Sequence, residues 1–219
     1  MVTAEAATLW THVAAGVVAL VAGGVALATE KGGRRHRRAG RVYVAAMAAV
    51  VVTVLPLFAL DPTFFRTFLL LVAVFSGYLA FSGARALARK RPGDDPTPAD
   101  WAAAAVVVVA CVALGAWGVT FVAGGDSFGV VMVVFGGIGG LLGGSDLRAY
   151  WQGTDRAWLV DHLSRMVAAY IATVTAVSVV NAAMVPEVVA WLWPTAVGVP
   201  LIWYWQAEYA DVGPLAGRS

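Results

Sequence analysis

Charge is what this chain has least of. Only 13% of its 219 residues are Asp, Glu, Lys or Arg, about half the roughly 25% of an ordinary soluble domain. Cysteine is down to one, Cys111, which excludes an intrachain disulfide framework and a cysteine-built metal site. Lysine is down to two, Lys31 and Lys90. Neither lies in the last apolar stretch, so a retinal Schiff base in a final helix is excluded. Alternation of apolar and polar residues is missing too. Runs such as AAAAVVVVACVALGAWGV are continuous, which rules out a β-barrel. No connector is long enough for a separate folded domain. No basic segment precedes the first apolar run, so a cleavable signal peptide is not expected.

Apolar residues fill the space. They make up 60% of the chain, with a mean hydropathy of +0.78, and they fall into stretches that approach or exceed the about 20 residues needed to cross roughly 30 Å of hydrocarbon. Seven spans are expected, at 7–28, 42–60, 64–87, 101–123, 128–142, 159–183 and 188–209. The expected fold is all-α, a polytopic membrane bundle of seven transmembrane helices forming one domain over residues 1–219, because lipid satisfies no backbone polar group. Basic residues crowd the connectors after spans one (KGGRRHRRAGR), three (Arg85, Arg89, Lys90, Arg91) and five (Arg148, Arg156), while the other connectors hold only Arg66. The positive-inside rule then predicts an amino terminus outside the cell membrane and a cytoplasmic carboxyl terminus. The net charge of +2 sits beside spans, which points to membrane lipids rather than nucleic acid.

Several local signals are legible. RPGDDPTPAD reads as an exposed loop, with Asp100 as the N-cap of the fourth helix. GGIGGLLGG in span five has small-residue spacing, and all of its glycines are expected to pack against another helix. It lacks the Lys-Ser/Thr ending of a phosphate-binding loop. SDLRAYWQGTDRAW reads as an interfacial connector. Trp191, Trp193, Trp203 and Trp205 are expected at the aromatic belts.

Ionisable residues inside spans are costly and so are candidate sites. His12 lies in span one, and Asp161, His162 and Arg165 lie in the first turns of span six. Asp161 and Arg165 have the i,i+4 spacing of an ion pair, with Asp146, Asp155 and Glu208 as alternative partners for the arginine. Arg66 and Glu208 are near enough to span ends to snorkel. Two histidines invite a haem reading, but His12 and His162 enter from opposite sides, which separates them by well over 10 Å at about 1.5 Å per residue. Haem or quinone would therefore use His12 or His162 singly. His36 shares a side with His162, and the two with Asp161 form a candidate divalent-metal set, although arginines around His36 would repel a cation.

The segment HRRAGRVYV resembles the His-Arg-x-x-Gly-Arg-x-Tyr segment of the multi-pass membrane proteins grouped as domain of unknown function 2306, through His36, Arg37, Gly40, Arg41 and Tyr43. DHLSRMVAAYIATVTAVSVVN and the following PEVVAWLWPTAVGVPLIWYW are similar to the end of such proteins, through His162, Met166, Tyr170, Thr173, Thr175, Asn181 and Pro194. The resemblance implies an all-helical membrane fold and no assigned activity. The first functional expectation is a small binding or transport bundle. Its polar site, at the cytoplasmic ends of spans two and six, comprises His36, Arg41, Tyr43, Asp161, His162 and Arg165. The alternatives are a redox protein and a structural subunit of a homo-oligomer or membrane complex. No nucleophile–base pair is evident, so catalysis is disfavoured.

Overall fold

The computed structural model describes residues 3–91, 93–153, 157–181 and 185–210. They form seven helices: α1 (Ala4–Ala28), α2 (Arg34–Leu60), α3 (Phe64–Ala86), α4 (Pro98–Ala123), α5 (Phe128–Gln152), α6 (Trp158–Asn181) and α7 (Glu187–Ala210). All seven are long and apolar enough to cross a membrane, and no strand occurs among the described residues. The chain is an all-helical, multi-pass membrane protein. Its contacts divide it into two compact units, residues 1–77 and 78–219.

In the first unit, α1 packs on α2. Thr3 caps α1 by accepting from the Ala6 amide at 3.2 Å. At the other end the orphan carbonyls are met from the connector and the first turn of α2: Lys31 Nζ donates to Leu27 O at 2.5 Å, and His36 Nδ1 donates to Ala26 O at 3.0 Å. Partial burial there holds the Lys31 pKa below its ordinary value. The basic segment is not a loop beyond Gly33. Gly32 takes the turn at φ +76, and α2 begins at Arg34, eight residues before the expected boundary, because arginine is a good helix former once the two glycines have passed. Midway along, His12 Nδ1 lies 2.9 Å from Thr53 Oγ1. Arg66 clasps the far end, pairing with Glu5 at 2.6 Å and donating to Leu57 O at 2.6 Å.

The second unit takes α3 from Tyr78 onward together with α4–α7. Here α4 lies against α5 and α6 against α7. The α4–α5 approach is set by Gly129, Gly136 and Gly143. A Cβ on Gly136 would fall 2.6 Å from Cys111 O, and one on Gly143 2.6 Å from Val107 Cγ1. Gly137, Gly140 and Gly144 are turned off that contact, and a Cβ there would meet no atom within 4 Å. The expectation that every glycine of GGIGGLLGG packs on a helix is therefore corrected to half of them, because each doublet turns its second glycine about 100° from the first.

Two further boundaries move, and one tryptophan changes its surroundings. Helix α5 runs ten residues past the expected end, since Asp146, Ala149 and Tyr150 of the supposed connector lie on one helical face toward neighbours. Gly153, at φ +59, stops it as a left-handed cap. Helix α4 starts at Pro98, with Thr97 as N-cap and Asp100 at N3 of a capping box, rather than with Asp100 as the cap. Trp191 is 2% exposed and sits edge-on to Phe128 and Phe135, so it belongs to the packing of α7 on α5 and not to an aromatic belt.

Candidate functional site

A polar layer occupies one end of the second unit. It is built from the carboxyl-terminal turns of α3 and α5, the amino-terminal turns of α4 and α6, and Gln206 near the end of α7. Two carboxylates anchor it, Asp146 at 3% exposure and Asp100 at 1%.

Arg165, 5% exposed, reaches across from α6 to α5. Its Nη2 donates to Asp146 Oδ1 at 2.8 Å and to Leu142 O at 3.2 Å. The Tyr78 hydroxyl donates to the other oxygen of Asp146, and the Arg165 guanidinium carbon lies 6.0 Å from the Tyr78 ring centroid. Three helices thus converge on one carboxylate. Arg165 stands seven residues into α6, about 10 Å from its start at 1.5 Å per residue. Nη1 of Arg165 is buried and has no hydrogen-bond partner.

The second centre lies nearer the helix ends. Arg85 donates from Nε and Nη2 to the two oxygens of Asp100, at 2.9 and 2.8 Å. This is the bidentate fork that arginine offers a carboxylate. Arg89 Nη1 lies 2.9 Å from the same carboxylate, and its guanidinium carbon sits 5.1 Å from the Tyr150 ring centroid. Asp100 also accepts from the Thr97 amide at 2.8 Å and the Thr97 hydroxyl at 2.6 Å. One buried carboxylate therefore ties the end of α3 to the start of α4.

His162 Nδ1 lies 2.8 Å from Gly83 O. A carbonyl only accepts, so this nitrogen carries the proton and the tautomer is fixed. Nearby, Gln206 Nε2 donates to Ser164 Oγ at 2.7 Å, joining α7 to α6.

The expected site residues are distributed as follows. Arg165 and His162 lie in this layer, with Asp161 half-buried one residue before His162. The carboxylate that holds Arg165 is Asp146 on α5, one of the alternatives considered, and Asp155 lies outside the described residues. His36, Arg41 and Tyr43 lie in the first unit: His36 turns to Ala26, Tyr43 is 2% exposed, and Arg41 is exposed. His12 is half-buried against Thr53. No group of three or more His, Cys, Asp and Glu side chains is placed to hold a metal among the described residues.

No family model, curated protein or solved structure matches the chain.

Sequence reasoning missed Tyr78, and it read Arg85 and Arg89 only as a basic rim. Thr97-x-x-Asp100 is a capping-box signature that could have moved the start of α4. The spacing of Asp146, Ala149 and Tyr150 could have extended α5. Nothing around Tyr78, set in an apolar run, marks it.

Proposed function

We propose that the chain is a small binding or transport bundle of the cell membrane, with its amino terminus outside and its carboxyl terminus in the cytoplasm. It works through the polar centre around Arg165. The observation that carries this reading is the buried, unpartnered Nη1 of Arg165. A guanidinium at this depth in a membrane helix is costly, and Asp146 offsets its charge. Helix anchoring alone needs nothing more. A second amino group, held in the protein interior with its hydrogens unused, is a donor suited to the oxygen of a solute: a carboxylate, a phosphate or a carbonyl. Tyr78 holds the far oxygen of Asp146, which keeps the carboxylate turned toward its own arginine. The likeness of segment 36–43 to domain of unknown function 2306 belongs to the same proposal and adds no activity.

The test is a thermal melt of the purified protein in acetate, succinate or inorganic phosphate at matched ionic strength. At least one anion should raise the Tm of the native chain by several degrees and leave Arg165→Lys unmoved. Lysine keeps the charge beside Asp146 but loses the second amino group. If no anion shifts the native chain, the structural-subunit reading replaces this one. A Soret band in the purified protein would favour haem held by His12 or His162 instead.

A further inference from the structure

The first two turns of α2 carry a surface that the polar centre does not use. Arg34, Arg37, Arg38 and Arg41 are all exposed, and their i, i+3, i+4, i+7 spacing places them within an arc of about 100° on one helical face. The opposite face is fixed. His36 donates to Ala26 O at 3.0 Å and Tyr43 is 2% exposed, so the helix is held with its arginines turned away from α1.

Among the described residues, none of these four arginines forms an ion pair. No residue of the first turn of α2 is acidic. Segment 30–41 holds six basic residues and one acidic, Glu30. The nearest acids along the chain, Glu5 and Asp61, stand at the other ends of their helices, paired with Arg66. Like charges four apart (Arg34 with Arg38, Arg37 with Arg41) repel, and the positive end of the helix dipole adds to that repulsion. The chain holds an unfavourable stripe that an external anion would relieve.

Depth says which anion. Helix α2 has 27 residues, about 40 Å at 1.5 Å per residue, which is roughly 10 Å more than the hydrocarbon it crosses. Arg34 to Arg41 spans about 10 Å of axis, so the arginine stripe is the part of the helix left over, at the level of the lipid phosphates. Guanidinium groups bind phosphate by a two-pronged fork, and clustered basic residues at a membrane surface recognise anionic headgroups. We propose that Arg34, Arg37, Arg38 and Arg41 form a binding surface for anionic phospholipid headgroups. This inference is independent of the polar centre around Arg165 and of which leaflet the stripe meets.

The experiment places the full chain in nanodiscs of phosphatidylcholine alone or mixed with phosphatidylglycerol, and reads both Tm and the lipid retained after partial delipidation by native mass spectrometry. The native chain should melt several degrees higher in the mixed discs, retain phosphatidylglycerol over phosphatidylcholine, and lose both effects in molar salt. Arg34→Gln with Arg38→Gln, which leaves three neighbouring arginines to guide insertion, should lose at least half of the Tm difference. No lipid preference in the native chain, or a salt-insensitive one, overturns the assignment without any variant. A preference undiminished in the double variant overturns the stripe as its source. If inorganic phosphate added to phosphatidylcholine discs reproduces the full Tm shift, the ligand is a soluble phosphate and the lipid assignment fails.

Discussion

Asp100 and Asp146 are equally hidden, yet their partners differ in access to water, and that difference sets what each is worth. The partners of Asp100, Arg85 and Arg89, have side chains 29% and 17% exposed, so loss of the carboxylate leaves arginines that can hydrate. Asp100→Asn should cost about 0.5–2 kcal/mol, the range for a lost cap. Arg165 has no such outlet, with its side chain 6% exposed. Asp146→Asn strands its charge inside a span and should cost about 3–5 kcal/mol, as for any buried pair with one member removed. Detergent unfolding of the two single variants measures both costs. Asp146→Leu combined with Arg165→Met should recover most of the larger loss, because the penalty comes from the stranded partner rather than from a lost attraction. A double variant as unstable as Asp146→Asn would mean that the polar network itself holds α3, α5 and α6 together.

At the scale of the helices, α5 separates two roles that its sequence overlays. Gly129, Gly136 and Gly143 recur every seven residues and meet α4 with gaps that no side chain fits, the close backbone approach that small residues permit. Gly136→Ala would press a methyl 2.6 Å from Cys111 O and the Gly115 amide nitrogen, backbone atoms that cannot rotate away. A loss of about 1–3 kcal/mol is expected. Gly140→Ala meets nothing within 4 Å and should be neutral or gain up to about 1 kcal/mol from helix propensity. Equal effects of the two substitutions on the detergent melting temperature would refute this division of the helix. The same helix shows what could be read in advance. Its existence followed from composition, and spacing pointed to a close helix contact without telling the glycines that pack on α4 from Gly137, Gly140 and Gly144, which do not. Its last ten residues did not, because Asp146, Arg148 and Gln152 look like a solvated connector until Tyr78 and Arg165 are known to satisfy Asp146. Arg165 itself was legible, since a charge in a span must find a partner. Which carboxylate it takes depends on how α5 and α6 face each other, and a single sequence carries no term for that.

For the molecule as a whole, the question is which side of the membrane each end occupies, and two features bear on it. Nearly all the basic residues lie in the connectors after α1, α3 and α5 or in the helix turns that flank them, with Arg156 outside the described residues. In the second unit, the polar layer is assembled from the same ends of α3 to α6 that these connectors join. An odd number of spans puts the termini on opposite sides. On the positive-inside rule, the proposed orientation would have the α3–α4 loop in the cytoplasm and the α2–α3 and α6–α7 turns outside. Cys111, buried at 1% exposure, gives a silent background for labelling with a membrane-impermeant maleimide. Asp95→Cys, in an exposed loop, should label only after cells are permeabilised. Pro62→Cys and Glu187→Cys, both at exposed positions, should label in intact cells. The reverse pattern would invert the orientation and move the arginine stripe of α2 to the outer leaflet, while leaving its lipid chemistry intact. Labelling of Asp95→Cys and Pro62→Cys from the same side would show instead that α3 does not cross, and the count of seven spans would fall with it.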